Sequence, residues 1–545
     1  MMKRLLFFCT IFLLLAGPVT VSAQPETALL HFDKSFYVAG EVAWFQLYLP
    51  AHLQDRSFAP HLTVVDPKGE TVWETFLDTK GQVNCSGYYD IPYGLDAGFY
   101  QFRFTARDAE RRVTELINAE VPVYSDLKPL PGEAAVPDTS YFYDGSEPAA
   151  KLLRVDIRPE SNAPVLPGQP VTLHITVKDR DDKPVETAGS VSVRDERLTG
   201  RAVLYKSAIF TGDELPGNAH WLPDASWAGT VLLPDGKPLQ TPLLAALDIE
   251  TNQVHFAETD AGGRFLLRVP PYSGMRRIQI MERGGTRVRV DWEKDTTRFV
   301  RNRLPYTRGI LEYLEQSRKR KKIYQLYAAV ETKLQRAASV LPVTEWETRR
   351  TYPVQDYERF PDLATFFQEV VWMVKFSSHK GAYKAGMYNT AQLEEFGHAP
   401  LFLLDNKATF DADFIARLKP ADIDTIDLLY EPKLLRKYFP AIGSGGVILI
   451  KTLRRNAVLP PEQEANIFPL HGFLPEASFP GIGAEASGPE LHPVLYWNPA
   501  LRTDAQGKAT ITFNHSDDRG DFIVEIVVQG PDGKRGIEWF RYSVK

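Results

Sequence analysis

Residues 400–453 constrain the fold more tightly than any other part of this chain. They read PLFLLDNKATF, then a helical run, then DIDTIDLLYEPKLLRKYFPAIGSGGVILIKTL. A short apolar strand ends in the turn Asp405-Asn406. A helix-like segment follows, then the strand Ile423–Leu429, then a glycine turn at 443–446. A fully apolar strand, 447–450, closes the unit. Gly443, Gly445 and Gly446 read as backbone devices, because a turn into a buried strand needs positive φ or a close approach. The pattern predicts a small α/β module.

These residues resemble the plug domain of TonB-dependent outer-membrane receptors. That family usually carries Asp-Gly after the first strand. Asp405-Asn406 stands there instead, and Asn tolerates the left-handed region, so the turn is still possible. The resemblance implies an envelope location. In that family the plug sits inside a membrane barrel, but only 92 residues follow Leu453. A 22-stranded barrel at about 10 residues per strand takes roughly 220. The expectation is a plug-like module, 356–455, without a barrel, in a chain that is not a transporter by itself. Its run-in, DYERFPDL, matches that of large envelope proteins of Bacteroidota, which also combine macroglobulin-like and plug-like segments.

The N-terminus predicts export. Lys3 and Arg4 form a positive region, residues 5–15 are apolar, and Val21-Ser22-Ala23 fits the small-x-small cleavage rule. The signal peptide is then 1–23 and the mature chain starts at Gln24; an uncleaved anchor is the alternative, with an apolar run short for a span of about 30 Å. Cys9 lacks a lipoprotein context. Removing Lys3 and Arg4 leaves 61 basic against 69 acidic residues, a charge of −8. That balance argues against nucleic acid as a partner. No other stretch is long and apolar enough for a membrane helix. Of two cysteines only Cys85 is left, so no internal disulfide can form. About 520 residues without disulfides imply several separate cores, three to five domains at roughly 100–200 residues each.

Most of the rest reads as short strands between turns. In 24–125 the candidates are Leu29–Phe32, 43–49, His61–Val65 and Thr71–Phe76, with turns at Ala39-Gly40 and Asp66-Pro67-Lys68-Gly69. FDKSFYVAGEVAWFQLYL and IPYGLDAGFYQFRF resemble the second domain of the alpha-macroglobulins, which implies a β-sandwich. Residues 126–149 read as a linker. Residues 150–205 hold part of another macroglobulin-type sandwich, with strands at 171–177 and 190–193. WAGTVLLPDGKPLQTPLLAAL and TDAGGRFLLRVP, within 226–292, resemble the carboxypeptidase regulatory-like domain. Gly229, Asp235, Gly236, Pro238, Thr259, Asp260, Gly263 and Phe265 fill its pattern; the resemblance implies a small sandwich without catalytic residues.

A helix is expected over 307–338, with Ile310, Leu311, Leu314, Ile323, Leu326, Tyr327, Val330 and Leu334 largely on one face. A second is expected at 363–374. Residues 456–488 read as a linker, and 489–545 as terminal strands of a macroglobulin-type domain. At 57 residues this tail is short for a sandwich of about 100. The fragments 150–205 and 489–545 are therefore expected to pair into one sandwich, with the units between them as insertions. The fold class is mainly β and multidomain: macroglobulin-type and regulatory-like β-sandwiches, a small α/β plug-like domain and a helical linker.

No motif for chemistry emerges. There is no Gly-x-Ser-x-Gly elbow, since Ile442 stands two residues before Ser444. The 11 His are scattered, without His-Glu-x-x-His. His255 and His379 read as ordinary surface or satisfied residues. Gly481-Ile482-Gly483-Ala484-Glu485-Ala486 fits a loose dinucleotide pattern but follows Pro480 in a linker. Arg318-Lys319-Arg320-Lys321-Lys322 could meet an anionic surface, but a solvated helix face is the simpler reading. The macroglobulin thioester sequence Gly-Cys-Gly-Glu-Gln does not occur, which excludes covalent trapping; Cys85, in Asn84-Cys85-Ser86, reads as a small buried residue. Catalytic, cofactor-binding and metal residues: none are expected.

These features point to an exported, non-enzymatic envelope protein, in the periplasm or at the outer membrane. It would work through contact with envelope or outer-membrane proteins as a scaffold or accessory component. The alternative is a macroglobulin-like protease inhibitor without a thioester, using 126–149 or 456–488 as an exposed bait.

Overall fold

Alternating apolar residues set the first sandwich. The computed structural model describes residues 28–50, 53, 57–79, 82, 84–127, 153–161, 163–199, 205–206, 220–293, 304–326, 334–336, 350–390, 393–482 and 491–545. The expected signal peptide, 1–23, and most of the expected linker 126–149 lie outside them. Strands β1 (Leu29–Phe32), β2 (Tyr37–Val38), β3 (Val42–Tyr48), β4 (His61–Val65), β5 (Thr71–Phe76), β6 (Asn84–Asp90), β7 (Gly98–Arg107) and β8 (Val113–Tyr124) open the chain. They make two facing sheets, β2-β8-β7-β4-β5 and β1-β3-β6. Ala43, Phe45 and Leu47 of β3 point into the shared core with Leu62, Phe102 and Phe104. Because strand side chains alternate, Trp44, Gln46 and Tyr48 lie on the other face.

Strands β9 (Arg154–Pro159), β10 (Pro170–Lys178) and β11 (Ala188–Asp195) follow, then β12 (Tyr205–Lys206), which joins the free side of β1. Strands β13 (Ala225–Leu232), β14 (Leu244–Asp248), β15 (Val254–Ala257), β16 (Arg264–Val269), β17 (Met275–Glu282) and β18 (Arg289–Trp292) form a second sandwich, with sheets β16-β13-β18 and β15-β14-β17. Its sequence pattern has structural uses. Gly236 and Gly263 turn the chain at φ +83° and +72°. Asp260 Oδ1 accepts the Gly262 and Arg264 amides, and Phe265 fills the core.

The expected helix at 307–338 is shorter. It spans Arg308–Leu326, and residues Gln335–Arg336 form strand β19 instead. Ile310, Tyr313 and Leu314 bury against Phe36, Val38 and Tyr124 of the first sandwich.

The α/β unit begins at Arg350, not at 356. Its strands are β20 (Arg350–Pro353), β21 (Val374–His379), β22 (Ala382–Asn389), β23 (Glu394–Glu395), β24 (Leu401–Leu404), β25 (Lys407–Thr409), β26 (Ile423–Leu429) and β27 (Val447–Thr452). The main sheet runs β20-β26-β27-β24-β25, with β24 and β27 parallel and the other pairs antiparallel. Asp405 and Asn406 both adopt positive φ, 47° and 69°, as a two-residue type I′ hairpin requires. The helix expected at 363–374 stops at Val370; Asp362 caps its start by accepting the Thr365 amide at 2.8 Å.

Residues 456–488 are not only a linker. They contain strands β28 (Ile467–His471) and β29 (Ala477–Ser478). Strand β28 completes the sheet β15-β14-β17-β28, and β29 pairs with β19. Pro469 lacks an N–H, which a terminal strand tolerates because one side needs no partner. The next residues fasten two units together. Phe76 N–H donates to the Gly472 carbonyl at 3.0 Å and Leu474 N–H to the Phe76 carbonyl at 2.8 Å. On the other side Phe473 N–H donates to the Tyr272 carbonyl at 2.7 Å.

The chain ends with β30 (Val494–Arg502), β31 (Lys508–Asn514), β32 (Gly520–Gln529) and β33 (Arg535–Val544). The fragments 150–205 and 489–545 form one sandwich, with sheets β31-β10-β9 and β30-β11-β32-β33 around Leu173, Ile175, Val191, Ile511 and Val524. Strand β10 pairs with β31 from Pro170–Asn514 to Thr176–Lys508. The sheet β30-β11-β32-β33 also lies against β12-β1-β3-β6, so two sandwiches share one four-layered stack.

Candidate functional site

The contact between the two sandwiches has a wholly buried polar centre, flanked by apolar clusters of Leu29, Tyr48, Val527 and Ile537 and of Val42, Trp44, Tyr88 and Trp497. His31, Ser190, Arg194 and Glu525 are all 0% exposed. His31 Nδ1 lies 2.6 Å from Ser190 Oγ, and Glu525 Oε2 lies 3.9 Å from His31 Nε2. Serine, histidine and a carboxylate in line suggest a nucleophilic triad. The hydrogen bonds argue otherwise. Tyr48 OH donates to the Val527 carbonyl at 3.0 Å, so Ser190 must donate to Tyr48, 2.6 Å away. His31 Nδ1 then donates to Ser190, an assignment that follows from each hydroxyl having one proton. A histidine that donates to the serine cannot take its proton, and no acyl group can reach a fully buried Oγ. The set is structural.

The same contact holds an ion pair. Arg194 donates to Glu525 Oε2 at 2.8 Å. Burial favours the neutral acid at Glu525, but Arg194 and His31 together outweigh it and hold the carboxyl down at about 2. Around it Gln529 donates to the Leu49 carbonyl and Ser192 to the Asp33 carbonyl, at 2.8 and 2.6 Å. Arg194 Nε and Glu525 Oε1 lack hydrogen-bond partners among the described residues.

A second charged cluster fixes the helix Arg308–Leu326. Lys34 donates to Glu41 Oε2 at 2.5 Å and to Tyr313 OH at 2.8 Å, and Tyr313 donates to Glu41 Oε1 at 2.6 Å. Burial pulls the Lys34 ammonium down, yet Glu41, Tyr313 and Asp33 outweigh it and raise its pKa. Burial pushes Asp33 up to about 6, against Lys34 and the Tyr37 hydroxyl. The basic run at 318–322 is partly consumed here. Arg318 Nε donates to the Asp126 carbonyl, Lys321 pairs with Asp126, and the buried Arg320 lies 3.9 Å from Glu41. It is a docking face more than a solvated one.

At the edge of the stack lies a cleft of about 670 Å3. Three units meet there. The first sandwich contributes Gln46 and the consecutive residues 84–88 of β6. The split sandwich contributes the consecutive residues 499–502 of β30, and residues 473–477 supply the third wall. Both β6 and β30 are terminal strands of their sheets. Gln46 Oε1 and Asn84 Nδ2 are buried without hydrogen-bond partners among the described residues. Sequence reasoning did not single out either residue. Gln46 carries a weak signal, a lone amide in the apolar strand VAWFQLY; Asn84 carries none until the strands are paired.

Cys85 borders the cleft from β6, but its side chain belongs to the first core, and burial pushes its thiol up to about 12. A nucleophilic or redox role is disfavoured there. His255 is half-buried on β15 and held below its usual range by burial. The side chain of His379 and most of the 481–486 pattern lie outside the described residues. As a bait, the part of 456–488 that forms β28 and β29 is compromised by its pairing in two sheets; a protease would have to peel β28 from β17. Among the described residues no group of His, Cys, Asp and Glu could hold a metal ion, and no helix is long and apolar enough to cross a membrane.

No protein-family model matches the chain, and no curated protein matches it. Solved structures align with it at low similarity. Escherichia coli alpha-2-macroglobulin activated by porcine elastase matches 95% of this chain at 9% identity, with a TM-score of 0.25 over 43% of its own length. The native conformation of the same protein matches 96% at 10% identity, with a TM-score of 0.25 over 40% of its length. Salmonella alpha-2-macroglobulin reacted with methylamine gives 96%, 9% and 0.23, over 40% of its length. The chain thus spans about two fifths of the length of these structures. At such scores the likeness carries no argument about what the chain does.

Proposed function

We propose that the chain is an exported, non-enzymatic protein of the cell envelope that works through protein–protein contact, as a scaffold or accessory component at the outer membrane. One observation carries the reading. Three docked units converge on a cleft whose walls are two terminal strands and two buried amides, groups that bind main chain and not groups that break bonds. The leader-like N-terminus supports export, and the plug-like pattern at 400–453 supports the envelope location.

Site-directed photo-cross-linking in the producing cell tests it. The photoreactive residue is placed at Ser86 and Ala500 in the cleft, and at the exposed Trp372 and Leu453 elsewhere. Discrete adducts with envelope proteins are expected from at least one position. No adduct from any of the four positions would sink the reading.

A further inference from the structure

We propose that the cleft receives one extended polypeptide segment of a partner protein, added as a strand along the outer edge of β6 and recognised through a peptide group by Gln46 and Asn84. The inference rests on the protein-contact reading above and names the partner's chemistry.

Consecutive residues form two of the walls. A strand that shows only side chains to a cavity lines it with alternate residues. Residues 84–88 and 499–502 line this one without a break, so main chain faces it. No strand pairs with the outer side of β6 or of β30 among the described residues. Alternate residues of such an edge direct N–H and C=O outward, the pattern that accepts an added strand. Five residues of β6 at about 3.4 Å each span about 17 Å, enough for a segment of about five residues.

The two amides specify what arrives. Gln46 Oε1, an acceptor, and Asn84 Nδ2, a donor, are buried without partners among the described residues, so each side chain turns outward to meet an arriving segment. Exchanging the oxygen and nitrogen of both side chains leaves the same pair of needs. A peptide group meets both, since its N–H donates and its C=O accepts. A charge in that position would lose its hydration for two neutral partners, a poor exchange. The segment therefore carries an uncharged side chain where it faces Gln46. A small polar molecule could satisfy the amides but would leave both strand edges unpaired.

The experiment pans a phage-displayed library of random dodecapeptides against the full chain. Enriched sequences are resynthesised, and binding is measured by fluorescence anisotropy to the wild type, Ser86→Lys and Gln46→Leu. The Ser86 side chain is exposed, so lysine leaves the fold intact while blocking the edge. Each substitution is expected to weaken binding at least tenfold, and bound peptide is expected to protect β6 amides from hydrogen exchange. A library that yields no binder overturns the proposal, as do peptides that bind both variants like the wild type. Adducts from Trp372 or Leu453 in the cell alongside such a result would leave the contact reading standing and remove this one.

Discussion

Breaking the buried Arg194–Glu525 pair from one side should cost far more than replacing it whole. Both side chains are fully buried and meet at 2.8 Å. Glu525→Leu strands a guanidinium whose Nε already lacks a partner. An uncompensated buried charge of this kind costs about 3–5 kcal/mol. Arg194→Met strands the carboxylate and should cost a similar amount. The double variant removes both charges and also removes two unpaired polar atoms, Arg194 Nε and Glu525 Oε1. It is expected within about 1 kcal/mol of the wild type, or above it, because apolar replacement of a whole buried pair is often neutral or stabilising. The coupling energy is then about 6–10 kcal/mol in magnitude, since the double variant lacks the cost of both single ones. A chain of several domains does not unfold in two states, so a single denaturation midpoint is a poor readout. Native-state hydrogen exchange of peptides covering β1, β11 and β32 reports the opening of this contact directly. If the double variant opens as easily as either single one, the reasoning is refuted: the contact would depend on charge and not on filled, satisfied space.

The remaining predictions concern pH and backbone space. Asp33 has a raised carboxyl, about 6 against an ordinary 3.8, so the folded state holds its proton more tightly. Stability from this group is full below about pH 4 and lost as pH rises through 6, at most about 3 kcal/mol. Opening free energies of β1 and β3 from native-state hydrogen exchange at pH 5 and 7 should show Asp33→Asn losing less stability on going to pH 7 than the wild type. The difference between the two proteins is the measurement, since His255 and His471, held down by burial, pull the other way in both. Equal pH dependence would remove the assignment. Gly445→Ala should cost about 1–3 kcal/mol, because a Cβ there runs into the Ala399 and His398 carbonyls, whereas Gly397→Ala, with open space around it, should be near neutral. Native-state hydrogen exchange of peptides covering β24 and β27 checks this, and indistinguishable opening in the two variants would contradict it.

Much of the architecture was legible because it is written in local alternation. Ile423–Leu429 reads directly as a strand, and the tail 489–545 is too short to close a sandwich alone, which forces it toward 150–205. The register of that union, Val171 against Phe513, has no local signal. Strand β28 was missed for a physical reason. Ile467–His471 is short and contains Pro469, so its propensity is that of a loop; the open edge of β17 makes it a strand. The expected helix ran over Gln335–Arg336, which pair with β29, because its apolar spacing continues to Leu334 with no proline or glycine to break it. The candidate site was illegible for a similar reason. Gln46 and Asn84 become neighbours only when β3 and β6 pair, with Tyr48 opposite Asn84 and Gln46 opposite Ser86.

The two apolar strands of 400–453 are covered on both faces. Leu401, Leu403, Val447 and Leu449 face Ala245, Leu247 and Met281 of the neighbouring sandwich. Phe402, Leu404, Ile448 and Ile450 face the other way, under Leu363, Phe366 and Phe367. Sheets buried on both faces read as continuous apolar runs, and here the chain supplies both covers. Asn406 Nδ2 donates to the Ile249 carbonyl and fixes the approach. Four large side chains buried at about 1.5–3 kcal/mol each give roughly 6–12 kcal/mol of gross attraction, shared between the neighbouring sandwich and Leu434, Leu435, Phe439 and Ile442 of the α/β unit itself. This packing ties the α/β unit to the sandwich beside it. That same sandwich holds β28, and through residues 472–474 it holds the first sandwich and the third wall of the cleft. A segment entering the cleft meets walls already in place, and its binding loses less to ordering than it would between freely hinged domains.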